Sequence, residues 1–123
     1  MNFFEVSLVR GEKGLYLDAG YFKLKLPSSY AELLKEAPSE LLLGIRPEHI
    51  KLLSGPREGA IEAEVYVVEP LGSETVVDFR IGYEIYKLKH LGEINLEPGD
   101  KIYLEFNLNK IYLFDKKTGK SLT

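Results

Sequence analysis

An all-β fold with one short helix is what this sequence predicts, and three observations predict it. Apolar residues alternate with period two in segment after segment, glycine and proline clusters separate those segments, and only the stretch from Pro27 to Pro38 changes to a helical period. Many short strands with that punctuation indicate a barrel or a sandwich. A chain of 123 residues supports one domain, or two small β subdomains sharing a core, and 45% hydrophobic with 28% charged residues is the balance of a soluble globular protein.

In chain order, Tyr21 to Leu26 sets Phe22, Leu24 and Leu26 on one face against lysines on the other, as a half-buried strand requires. Pro27 to Pro38 opens with a serine cap candidate, carries Tyr30, Leu33, Leu34 and Ala37 at helical spacing, and stops at a proline. It predicts a helix over about 28–37 whose single apolar stripe plugs one end of the barrel. A strand from Leu41 to Ile45 must leave its sheet at Arg46, because Pro47 forces the preceding residue into extended backbone. Glu48 and His49 then start a turn, and Arg46 and Glu48 are spaced to pair. Ile61, Ala63, Val65 and Val67 alternate with Glu62, Glu64 and Tyr66, while Ile102, Leu104 and Phe106 alternate with Lys101, Tyr103 and Glu105. The expected core therefore includes Leu43, Ile45, Val65, Val67, Ile102 and Leu104. Arg10 to Gly14, Asp18 to Gly20, Leu53 to Gly59 and Glu97 to Asp100 carry turn chemistry. Leu71-Gly72-Ser73 predicts a hairpin or bulge with Gly72 in an unusual backbone conformation, and Asp115 to Gly119 a polar hairpin that folds Phe114 back on the barrel.

Several function classes fall away. Sixteen basic against 19 acidic residues give a net charge of −3, which offers no electrostatic footprint for nucleic acid or an anionic membrane. Eight Tyr and six Phe could supply stacking platforms, and Tyr83, Tyr86, Lys87, Lys89 and His90 form the best local patch. The basic groove that would go with them is missing, so no nucleic-acid partner is expected. Absence of cysteine excludes a thiol nucleophile and a disulfide framework. His49 and His90 are isolated in sequence, without the spacing that gathers metal ligands on one face, so no metal site is expected. No Gly-x-Ser-x-Gly elbow is present, and alternation explains Glu62 and Glu64 as a solvent face; no catalytic residue is expected. Met1-Asn2-Phe3-Phe4-Glu5 does not read as a secretory signal, and no apolar run approaches the roughly 20 residues needed to span a bilayer.

Five segments carry a resemblance. Met1-Asn2-Phe3-Phe4, Leu43-Gly44-Ile45-Arg46-Pro47-Glu48-His49-Ile50, Val67-Val68-Glu69-Pro70-Leu71-Gly72-Ser73-Glu74-Thr75, Pro98-Gly99-Asp100, and Leu113-Phe114-Asp115 with Thr118-Gly119 follow one another almost end to end. In that order they resemble the C-terminal accessory, transport-associated OB (TOBE-type) domain of ATP-binding subunits in maltose-type sugar importers of the ABC class. The strongest match is Gly44, Ile45, Arg46, Pro47, Glu48 and His49. Such a subunit carries a phosphate-cradling Gly-x-x-x-x-Gly-Lys-Ser/Thr loop, and no window of this sequence fits it.

The resemblance implies an OB-type regulatory domain spanning 1–123, without its nucleotide-binding domain. It implies no cofactor here, ATP and Mg belonging to the absent domain of the parent chain. The partners it implies are a second copy of the same subunit, the nucleotide-binding domain, the membrane permease subunits indirectly, and in some relatives a regulatory protein. It places the assembly in the cytoplasm, peripheral at the inner face of the membrane. The positions matching the family's contact regions are Glu69, Pro70, Leu71, Gly72 and Phe114. The alternative is a small-ligand module for an oxyanion or a sugar, with the turns at Gly55-Pro56 and Gly72-Ser73 as candidate amide donors.

Overall fold

A computed structural model describes residues 1–123. The expected all-β architecture is present: ten strands, one turn of α-helix and one turn of 3-10 helix. The chain divides into two compact units, the first made of Met1, 3–45 and 108–123, the second of Asn2 and 46–107.

In the first unit, β1 (Asn2–Gly11), β2 (Gly14–Asp18), β3 (Lys23–Lys25), β4 (Glu40–Ile45) and β10 (Tyr112–Asp115) form a sheet in the order β10-β4-β1-β2-β3. Alternation along β1 buries Phe4, Val6 and Leu8, and these meet Leu17, Leu24, Leu41, Leu43, Ile45 and Leu113 in one core. Each such side chain contributes about 1.5–3 kcal/mol on burial. The Phe4 ring sets its edge to Phe22, with centroids 5.5 Å apart and planes at 83°. The expected strand over Tyr21–Leu26 narrows to Lys23–Lys25.

The predicted helix over 28–37 is shorter than its spacing suggested. Only Tyr30–Leu33 (α1) is α-helical, Ser29 makes no side-chain cap, and Leu33 is 52% exposed. Tyr30 and Leu34 are buried, so the apolar stripe loses Leu33. After the Leu34 N–H to Tyr30 bond, Lys35 and Ala37 bond carbonyls three residues back, the tighter 3-10 pattern. The Arg10 guanidinium donates to the carbonyls of Leu34 and Ala37, and the Tyr30 hydroxyl donates to the Leu108 carbonyl at 2.6 Å. The Arg10 guanidinium thus serves carbonyls that a longer helix would have satisfied internally.

In the second unit, β5 (Ile50–Leu53), β6 (Ile61–Pro70), β7 (Glu74–Ile81), β8 (Glu84–Leu91) and β9 (Lys101–Phe106) pair in the order β5-β9-β6-β7-β8, antiparallel throughout. Strands β6 to β8 are successive hairpins, and β9 returns to lie between β5 and β6. Its core holds Ile50, Ile61, Ala63, Val65, Val77, Phe79, Leu88, Ile102, Leu104 and Phe106. Strand β8 is an edge. Its Lys87 N–H donates to the Asn2 side-chain carbonyl, and the Asn2 amide donates to the Lys87 carbonyl, both at 2.8 Å. A buried asparagine therefore satisfies one unpaired step of the edge ladder.

Val67 corrects the expected core. It is 44% exposed, because the register of β6 on β7 shifts between Val65, opposite Phe79, and Val67, opposite Asp78. Tyr66 is the extra residue of a β-bulge, and one extra residue sends every later side chain to the other face. Val68 is accordingly the more covered of the two valines.

Candidate functional site

The segment Gly44–His49 lies where the chain passes from the first unit to the second. Gly44 and Ile45 end β4, and Ile45 is fully buried. Gly44 owes its place to close approach: a Cβ there would lie 2.8 Å from the Met1 sulfur and 3.1 Å from the Phe3 ring. Arg46 takes the extended conformation that Pro47 demands, with φ −77° and ψ 147°. Pro47–His49 form a 3-10 turn closed by the His49 N–H donating to the Arg46 carbonyl at 2.9 Å, and the His49 carbonyl accepts from Asn107 N–H at 3.0 Å. The exposed Glu48 carboxyl is held below its ordinary pKa, chiefly by a backbone hydrogen bond and then by the charges of His49, Lys89 and Arg46, with desolvation opposing. The His49 Nδ1 atom is buried and meets no hydrogen-bond partner. Met1 and Phe3 belong to a segment the sequence singled out, but nothing in the sequence placed them against Gly44.

In the second unit, Glu69 and Pro70 end β6, and Leu71 and Gly72 open the turn to β7; all four are exposed. Gly72 has φ +88°, the conformation its position required, and Leu71 N–H donates to the Glu74 carbonyl at 2.8 Å across the turn. Buried Thr75 donates its hydroxyl to the Gly92 carbonyl, and Gly92 N–H donates to the Ser73 carbonyl, which fixes the neighbouring end of β8. Leu71 and Leu91 stand 51% and 85% exposed. The hairpin tip at Tyr83 is 93% exposed. Phe114 belongs to the first unit, half-buried on β10, its ring centroid 6.4 Å from that of Phe3. Asp115 holds the following turn, its carboxylate accepting from Lys117 and Thr118 N–H groups.

No three His, Asp or Glu side chains gather as metal ligands. Glu62 and Glu64, instead of pairing as acid and base, face solvent and approach Lys101 and Arg80 across the strands at 3.8 and 3.6 Å. Gly119-Lys120-Ser121 has the ending of a phosphate loop, yet Phe114 stands where the first glycine belongs, and Gly119 serves a hairpin with φ +77°. The turn at 53–57 lines a cleft of about 380 Å³, where the Arg57 guanidinium is held by Glu105 at 2.7 Å. Within the Tyr83–His90 patch, Lys87 meets Asp78 at 2.8 Å and Tyr86 packs on Phe79, while Tyr83 stays exposed.

These features define an all-β module whose motif residues lie at turns and strand ends. Its family follows from two matches. Residues 43–114 match the TOBE domain, so the chain belongs to the TOBE domain family, and residues 1–50 match the MalK OB fold domain. It is 34% identical to the trehalose/maltose import ATP-binding protein MalK of Thermococcus litoralis over 130 residues, covering 99% of this chain and 34% of that protein. It is 28% identical to the oligosaccharides import ATP-binding protein MsmX of Bacillus subtilis, covering 96% of this chain and 33% of that protein. With the xylose/arabinose import ATP-binding protein XacK of Haloferax volcanii the identity is 40% over 91 residues, 68% of this chain and 23% of that protein. The chain thus spans about a third of the length of its full-length matches. Among solved structures, the cytoplasmic molybdate-binding protein ModG, with molybdate bound, shares the fold at a TM-score of 0.70 and 16% identity, over 91% of this chain and 94% of that one.

Proposed function

We propose that this chain is the regulatory and dimerisation domain of the ATP-binding subunit of a maltose- or sugar-type ABC importer, supporting ATP-driven uptake without carrying the ATPase site. The observation that carries the proposal is the end-to-end match to sugar-import ATP-binding proteins, 96% and 99% of the chain in two of them. Relatives of this domain serve importers named for different sugars. The domain is therefore read as serving the motor, with solute recognised elsewhere.

In this reading the domain meets a second copy of itself through Glu69–Gly72 in the second unit and Phe114 in the first. The exposed Leu71 supplies apolar area at the turn. A contact that persists while the motor opens needs a self-complementary patch on both copies. The rest of the parent subunit supplies the nucleotide site, the permease is reached indirectly, and a regulatory protein is a further partner. The complex sits at the inner face of the membrane; no helix of this chain is long and apolar enough to cross one.

Sedimentation equilibrium over a broad concentration range tests the reading. Without the effective concentration that a larger assembly provides, self-association is expected to be weak and concentration-dependent. A Leu71→Glu variant is expected to abolish it with the circular dichroism unchanged. It is a cleaner probe than Gly72, where any side chain also strains the turn at φ +88°. A chain strictly monomeric at millimolar concentration, or a dimer indifferent to Leu71→Glu and to Phe114→Ala, would remove these surfaces from the interface. The purified chain is also expected to show no ATP turnover, since phosphate and Mg²⁺ positioning depends on a loop it lacks.

A further inference from the structure

The first unit holds an open cleft of about 620 Å³ beside the β1–β2 hairpin, a size within the range of small-ligand sites. Two lysines, Lys13 and Lys25, stand on its rim, with the Ser28 hydroxyl close by in sequence to the apolar wall of Leu15, Pro27 and Ala31. Neither ammonium has a carboxylate within 4 Å, so both charges are open to a ligand in the cleft. The nearest acids in sequence, Glu12 and Glu32, do not line it.

The backbone aims one of these charges. Lys25 lies opposite Tyr16 on the β2–β3 ladder, so its side chain shares a face with Tyr16 and with Gly14 two residues before. A Cβ on Gly14 would sit 3.7 Å from the Lys25 Cε, so the lysine stem runs over bare backbone toward the hairpin. Gly14 adopts φ +133° and Gly11 pairs with it, which leaves the two-residue turn carrying Lys13 short and unshielded.

We propose that this cleft binds a small organic phosphate. The dianionic head sits between the Lys13 and Lys25 ammonium groups, within reach of the Ser28 hydroxyl. An apolar body lies along Leu15, Pro27 and Ala31. Two cations and a hydroxyl donor suit a dianion with three acceptor oxygens better than a single carboxylate. The apolar wall favours an esterified phosphate over the bare ion.

The test is titration of the ¹⁵N-labelled chain with phenyl phosphate, and in separate arms with inorganic phosphate and with phenol. Saturable shifts at the Gly11, Gly14 and Ser28 amides are expected, with phenyl phosphate the tightest of the three. Lys13→Gln and Lys25→Gln are each expected to weaken it about tenfold, the loss of one charge-assisted contact. Lys120→Gln, the same charge change outside the cleft, should leave affinity unchanged. Ala31→Leu, which narrows the apolar wall and keeps both charges, should weaken phenyl phosphate more than inorganic phosphate. Failure to saturate at tens of millimolar overturns the proposal. So does equal weakening by Lys120→Gln, which would show diffuse attraction, or equal affinity for inorganic and phenyl phosphate, which would remove the organic body. Because self-association is not measured, failure here leaves the dimer reading standing, and the converse.

Discussion

Strands β6 and β9 lie side by side in the second unit and begin with the same alternation, yet only one keeps it. Along β9, Ile102, Leu104 and Phe106 are all buried. Along β6, Ile61, Ala63 and Val65 are buried, and Val67, next in the series, is exposed. The difference lies in their neighbours. β9 pairs with β6 over Lys101–Leu104 and with β5 over Tyr103–Phe106, and neither ladder shifts register. β6 pairs with β9 only over Ile61–Glu64 and then, past a last pair of bonds joining Val65 to Gly99 and Asp100, continues on β7 alone. There the bulge at Tyr66 intrudes, and the Arg80 guanidinium lies 5.1 Å from the exposed ring. Periodicity predicts a face only as far as the ladder that enforces it.

The largest expected effect breaks the well-held strand. Leu104→Ala, fully buried at the centre of β9, should lose about 2–5 kcal/mol in urea unfolding. The two sides of the bulge then sharpen the contrast. Val65→Ala should cost about 2 kcal/mol by the same measurement. Val67→Ala should cost less than about 0.5 kcal/mol. Equal losses at the two valines would place the bulge elsewhere. Gly99 comes next, since its N–H bonds the Val65 carbonyl from a turn at φ +94°. Gly99→Ala should cost about 1–2 kcal/mol, and hydrogen exchange at its own amide should rise, reporting the bond to Val65. Removing the exposed Lys101–Glu62 pair between the two strands by Lys101→Ala should change stability by no more than about 1 kcal/mol, and less in high salt.

The smallest effect lies outside both strands, in the 3-10 turn that leads into β5. Glu48 has a lowered pKa in the folded chain, so the stability it contributes is present above its unfolded pKa and is lost as pH falls through the folded value. Glu48→Gln should therefore be slightly less stable than the parent near neutrality, and the two unfolding curves should converge in acid.

Much of the candidate surface was legible for local reasons. Pro47 dictates the backbone of Arg46, and Gly72 was expected in an unusual conformation because a turn between two strand patterns requires one. Gly44 shows where legibility stopped. Its motif was visible, but the cause is a close approach by Met1 and by Phe3 of β1, distant in sequence. The cleft lysines were equally hidden, since Lys13 reads as a turn residue and Lys25 as the polar face of a strand. Only the fold puts them on one rim without an acid between them.

By itself the sequence determined the fold class, most strand faces and the turn positions, because these follow from side-chain period and from the backbone limits of glycine and proline, which act within a few residues. Tertiary structure decided the order of strands in each sheet, the bulge that exposes Val67, and the shortening of the helix to Tyr30–Leu33. Those outcomes rest on partners far along the chain: the end of the β9 ladder, the Asn2 side chain on Lys87, and the Arg10 guanidinium on the carbonyls of Leu34 and Ala37. No local pattern encodes a partner whose position depends on the rest of the fold.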